Sequence, residues 1–303
     1  MRRYAHKWVV LPVAIAMLAG GTLRAWYGEG HTAATDLAVS QVQSRMPPFF
    51  GQGGGTISNC AVDPDVFKFE SDCDALYMTE YPDHFFDLEY LTAPTLPKDR
   101  QAFTSWCLSH HQWFSKVGTL PYAAIEWTYR LAAALAEYRR WPQDPAIQAK
   151  CLVYAGLLSH YAQDMAMPLH ATVHYDGRAT ADGDSPHTGI HAKVDALLAK
   201  VNLAEPVQID PNTLAPFEDV LAACLDQVRE SNGLVDKVYA LEHDLPDSND
   251  PVDPGSAVEA FARDRLRRTV EFTACLFLTA WHKSQSVEIP VWHTRTPVTG
   301  DGY

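Results

Sequence analysis

His160 and Asp164 stand four residues apart in "CLVYAGLLSHYAQDMAM", and His170 follows two residues after Pro168. In a helix, that spacing stacks two side chains on one face. An imidazole and a carboxylate so placed can satisfy each other as a buried hydrogen-bonded pair, or can offer a nitrogen and an oxygen to a divalent cation. The stretch "GIHAKVD" repeats the pattern with His191 and Asp195. With His170 these make five candidate ligands of the kind zinc accepts. More lie upstream: His84 in "YPDHFFDLEY", Asp63 and Asp65 in "AVDPDVFK", and His31 in "WYGEGHTAATDLAV". If the chain is cut after Ala25, Trp26 gains a free α-amino group that could chelate together with a nearby carbonyl oxygen.

The elements that must position these residues are helices. Apolar residues recur at three-to-four-residue spacing over 31–46, 100–116, 121–141, 147–167, 187–202, 214–241 and 255–285, and no strand-like alternation stands out, so an all-α fold is expected. The segments 47–65, 172–186 and 244–256 are rich in Gly, Pro and Asp and read as irregular. The helix carrying His160 is apolar on nearly every side, which marks it as central. Pro168 ends it and lets His170 approach from the following turn.

Length and composition set the frame. A chain of 303 residues, 47% apolar, can bury a sizeable core. Residues 1–25 read as a signal peptide, a basic "MRRYAHK" followed by an apolar run too short to span a bilayer comfortably, so an exported, periplasmic or secreted protein is expected. A single helical domain would cover 26–285, with a tail at 286–303. Loss of Arg2, Arg3, Lys7 and Arg24 with the signal takes the net charge from -13 to -17. Such a surface repels polyanions at long range, although bound cations would reverse the sign locally. Six cysteines in an exported protein suggest disulfides, with Cys60–Cys73 the favoured pair because it would close a Gly- and Asp-rich loop. Cys107, Cys151, Cys224 and Cys275 lie in helical segments and could equally be buried thiols.

The ordered series from Trp26 to Asp195, with its "HYAQDMAMPLH" segment, resembles the superfamily of zinc-dependent phospholipases C and single-strand-specific type I nucleases. Those are secreted helical enzymes that hold three zinc ions in a cleft. The resemblance implies that Asp65, His84, His160 and Asp164 hold the first ion. Trp26 and His31 would hold the second, with Asp164 bridging the two, and His170, His191 and Asp195 the third. Asp65 and Asp164 are then the carboxylates on which catalysis rests. Two ions about 3.5–4 Å apart would share a water with its pKa lowered towards about 7, and the third would stabilise the departing oxygen. Asp65 is preferred to Asp63 because Lys68 follows it by three residues, where the nucleases carry a phosphate-holding Arg; a lysine there cannot make the bidentate contact.

Two phosphodiester substrates compete. His31 five residues after Trp26, Lys68, and Asp195 where phospholipases usually carry Glu lean towards single-stranded nucleic acid. Phe85, directly after His84, matches the aromatic on which the nucleases stack a base. After "PLH" the nucleases carry an Asp-x-Gly-Gly-Asn stretch where this chain reads "ATVHYDGRAT", so the lip facing substrate differs. His174 and His187 flank the third set and are candidates for substrate contact. Phospholipid headgroups are the alternative substrate, and a non-catalytic zinc carrier is a third reading. No protein partner is implied.

Overall fold

The computed structural model describes residues 28–69, 74–91, 95–181, 183–247 and 250–294. The expected signal segment, Trp26 and Cys73 lie outside the described residues. The chain is all-α: among the described residues there is no strand, only two isolated bridges, Phe86 with Gly118 and Tyr175 with Gly177.

Helix α1 spans Gly28–Val42 and is followed by four short helices, α2 (Pro48–Gln52), α3 (Gly54–Cys60), α4 (Asp63–Phe67) and α5 (Asp74–Glu80). Then come α6 (Arg100–Ser109), α7 (Phe114–Val117) and the long α8 (Leu120–Arg140) and α9 (Pro145–Asp164). The C-terminal half holds α10 (Ile190–Asp195), α11 (Val220–Asn232), α12 (Val235–Ala240) and α13 (Ala257–Lys283). Helix α9 is central, packed against α8, α3, α13 and α1, as its all-round apolarity requires. Its start is set locally: Asp144 accepts from the backbone N–H of Ala146 and Ile147, and Pro145 occupies the first helical position, where no N–H is needed. Ser256 caps α13 in the same way, accepting from Glu259 N–H.

Several expected elements are shorter than their periodicity suggests. The segment 100–116 breaks after Ser109 because His111 takes a left-handed conformation, φ 57°. The helix expected over 187–202 begins only at Ile190, since His187 and Gly189 are also left-handed, φ 56° and 86°. The segment 214–241 starts late, at the Asp219 cap, and divides at Gly233 into α11 and α12. In contrast, 47–65, expected to be irregular, forms α2, α3 and the start of α4. Close packing accounts for this: a Cβ on Gly53 would lie 2.3 Å from the Leu152 side chain, and one on Gly156 would lie 2.6 Å from the Ile57 carbonyl oxygen. The glycines that look like breakers are what lets α2 and α3 press onto α9.

The favoured Cys60–Cys73 pair has its second member outside the described residues. Among the described residues no disulfide forms, and Cys60 is a free thiol, as are Cys107, Cys151, Cys224 and Cys275. The last four are buried in the helical core as small apolar side chains.

Candidate metal centre

The last turns of α9 place His160 and Asp164 on one face, both buried. Pro168–His170 forms a 3-10 turn, and the His170 carbonyl accepts from Phe86 N–H at 2.8 Å, which ties it to the segment after His84. His84 ends a second 3-10 turn, Tyr81–His84, whose Asp83 is held by Arg100 from α6. Helix α1 brings His31, α4 brings Asp65, and α10 brings His191 and Asp195.

These residues converge into three sets whose ligand atoms lie within 4.8 Å of one another: His31, His160 and Asp164; Asp65, His84 and His160; His170, His191 and Asp195. Asp164 joins them. Its Oδ1 lies 3.6 Å from His31 Nε2 and 3.3 Å from His170 Nδ1, and its Oδ2 lies 3.0 Å from His84 Nδ1 and 3.3 Å from His160 Nε2. Asp65 Oδ1 is 3.8 Å from His160 Nε2 and 3.9 Å from His84 Nδ1, whereas Asp63 faces the Cys60 thiol. His191 Nε2 is 3.1 Å from Asp195 Oδ2. One difference from the division by resemblance is that His160 sits between two sets.

The outer nitrogens say which lone pairs face inward. His160 Nδ1 donates to the Ala61 carbonyl at 2.9 Å, His191 Nδ1 to the Tyr175 carbonyl at 3.3 Å, and His31 Nδ1 to Gln163 Oε1 at 2.6 Å. Gln163 is oriented in turn by donating to Thr35 at 2.7 Å. Each of these rings, when neutral, turns its Nε2 lone pair towards carboxylate oxygens. Acceptors crowded against acceptors repel unless a cation or a proton lies between them. Buried ring and carboxylate atoms are also left without hydrogen bonds at His84 Nε2, His170 Nδ1 and Asp195 Oδ1. The donor set therefore fits metal ions, and these His and Asp groups could bind them.

The protonation tendencies agree. Burial lowers His31 to about 4, and burial with the Lys68 charge lowers His84 to about 3, so both stay neutral. Burial works against protonation of His160 and His191, but Asp164 beside the first and Asp195 beside the second raise both. Against the upward push of burial, His160 and His170 hold Asp164 well below the carboxylate range. The carboxylates thus draw protons where they can.

A cleft of about 730 Å³ opens beside these sets, lined by His84, His170 and His191 together with Lys68, Phe85 and Tyr81. Lys68 Nζ lies 2.7 Å from Asp65 Oδ1 and 3.3 Å from His84 Nδ1. Phe85 is half-buried, with Tyr81 edge-on to it at 5.4 Å. Of the two flanking histidines, His187 lines the cleft and His174 does not; His174 Nδ1 instead accepts from Ala179 N–H within its own loop, at 2.9 Å. Asp87 was not singled out from the sequence. It lines the cleft at 7% exposure, and burial pushes its carboxyl up to about 8. Its only signal in the sequence is its place two residues beyond Phe85, on the same side of an extended backbone.

No family model matches this sequence, and no curated protein matches it.

Proposed function

We propose that the chain is an exported zinc-dependent phosphodiesterase of the phospholipase C and type I nuclease kind, acting on single-stranded nucleic acid. The observation that carries this is the convergence of imidazole nitrogens and carboxylates around Asp164, which has neighbours on both of its oxygens. Asp65, His84, His160 and Asp164 would hold one ion and His170, His191 and Asp195 another, with His31 and Asp164 contributing to a third that Trp26 completes. Such ions, when bound, supply an activated water and neutralise charge on a phosphate.

The chain's own residues account for the rest. Phe85 offers a ring on which a base can stack, and stacking tolerates any base. Lys68, at the cleft wall, can pair with a phosphate oxygen as a point charge. Asp87, buried at the cleft wall, offers a carboxyl group that can hydrogen-bond to a base edge. Duplex resists because its bases are not free to stack.

A second reading, a phospholipase, is favoured by one feature. Val66, Phe69, Leu76, Met78 and Tyr81 are 65%, 74%, 41%, 58% and 41% exposed, and Tyr81 also lines the cleft. Exposed apolar side chains on a segment that reaches the cleft at Tyr81 suit acyl chains.

Zinc-loaded protein assayed on single-stranded DNA and RNA, duplex, a 3'-nucleotide and phosphatidylcholine separates the readings. Cleavage of single strands is expected, with Phe85→Ala reducing kcat/KM about 5- to 150-fold, from a stacking contribution of about 1–3 kcal/mol. Turnover of lipid with inert oligonucleotides would reverse the assignment. Zinc binding without hydrolysis of any of these would favour a carrier.

A further inference from the structure

His84 turns its two nitrogens to different neighbours. Nδ1 meets Asp164 Oδ2 at 3.0 Å and His160 Nε2 at 2.9 Å, and it accepts from the Lys68 ammonium at 3.3 Å. Lysine can only donate, so this contact, like metal ligation through Nδ1, calls for an unprotonated Nδ1, and the ring proton is then on Nε2. Nε2 is buried without a hydrogen-bond partner and faces Glu80 Oε1 at 3.8 Å. Glu80 ends α5 four residues before His84 and is itself 8% exposed. The Tyr161 hydroxyl, 2% exposed, donates to that same oxygen. Tyr161 lies on α9 between His160 and Asp164, so the helix that supplies two ligands also braces the group behind a third.

We infer that Glu80, braced by Tyr161, is the positioning residue for His84: its carboxylate attracts the Nε2 proton and keeps the Nδ1 lone pair turned into the metal centre. This rests on the metal-binding reading above. A carboxylate behind a ligating imidazole fixes its tautomer and raises its basicity, and loss of such a partner typically weakens metal affinity about 10–100-fold. A purely structural role would need only an acceptor for Tyr161, which the amide oxygen of a glutamine also provides. The negative charge is therefore what distinguishes the two roles.

The test is zinc affinity of the full-length protein, measured by competition with a chromophoric chelator for wild type, Glu80→Gln and Tyr161→Phe, together with the melting temperature of each in metal-free form. Glu80→Gln is expected to bind zinc about 10–100-fold more weakly while its metal-free melting temperature stays at the wild-type value. Tyr161→Phe is expected to lose affinity in the same direction by a smaller factor. If Glu80→Gln fails to fold, Tyr161→Phe decides by the same criterion. Wild-type zinc affinity in the variants, or a loss matched by a fall in metal-free melting temperature, overturns the inference and leaves the metal-binding reading standing. A wild-type protein that binds no zinc overturns both.

Discussion

Asp87 shows how much a single buried side chain can depend on its surroundings. Its carboxyl, pushed up to about 8 from 3.8 chiefly by burial, keeps its proton in the folded protein at pH values where the unfolded chain has lost it. Between those limits the folded state binds more protons, so stability contributed by Asp87 is present at low pH and falls as pH rises towards 8. Asn cannot titrate. Asp87→Asn is therefore expected to match wild type near pH 4 and to exceed it above pH 8, by an amount on the order of a few kcal/mol. Bound cations would stabilise the charged form, so the comparison belongs in metal-free protein. Thermal unfolding across pH 4–9 reads it out; parallel curves for the two proteins would refute the burial argument. Among the candidate ligands, His160 with Asp164 and His191 with Asp195 were legible from residue type and spacing, because an i, i+4 His–Asp pair needs only a helix; His31, Asp65 and His84 were gathered in by the family resemblance. Asp87 had no such spacing and was passed over.

Among the elements, α9 matters most, and its contact with α3 is close. A Cβ at position 156 would lie 2.5 Å from Cys60 Cβ and 2.6 Å from the Ile57 carbonyl oxygen, both rigid parts of a neighbouring helix. Gly156→Ala improves helix propensity but forces α3 away, and overpacking of this kind costs about 1–3 kcal/mol. Because α4 follows α3 directly and carries Asp65, and because the Ala61 carbonyl between them holds His160 Nδ1, the same shift should loosen the metal centre. Urea denaturation and zinc content together check this; a variant with unchanged midpoint and full metal would show that α3 yields freely. The long helices were readable from their apolar periodicity. The short ones at 48–67 were not, since glycines that break an isolated helix here serve interhelical contact, which has no local signature.

At the scale of the whole molecule, the candidate metal centre is also the place where distant parts of the chain meet. Helices α1, α4, α9 and α10 and the turns ending at His84 and His170 all point ligands at one region, around carboxylates that are buried or nearly so. Without cations those carboxylates repel one another and the inward lone pairs. Chelation should therefore lower thermal stability. At zinc a hundredfold above Kd, linkage corresponds to about 2.7 kcal/mol for each site, or about 5 °C per site in a domain of this size. Differential scanning calorimetry with and without chelator, followed by zinc restoration, tests it. A melting temperature indifferent to metal would place the sets among ordinary buried ion pairs.

What the sequence by itself determined was the all-α class, the central position of α9, and the residues brought together as candidate ligands, from His31 to Asp195. The helices and the two i, i+4 His–Asp pairs follow from local rules, since periodicity selects a helix and four-residue spacing a shared face, whereas His31, Asp65 and His84 were gathered into the ligand sets by the family resemblance. Tertiary structure alone decided that His187 rather than His174 reaches the cleft and which nitrogen each ring turns inward, and it brings Asp65, already preferred to Asp63 on its spacing from Lys68, to the histidines. The reason is physical. A histidine's orientation is set by the partner of its other nitrogen, and for His160 that partner is the carbonyl of Ala61, ninety-nine residues away in the chain.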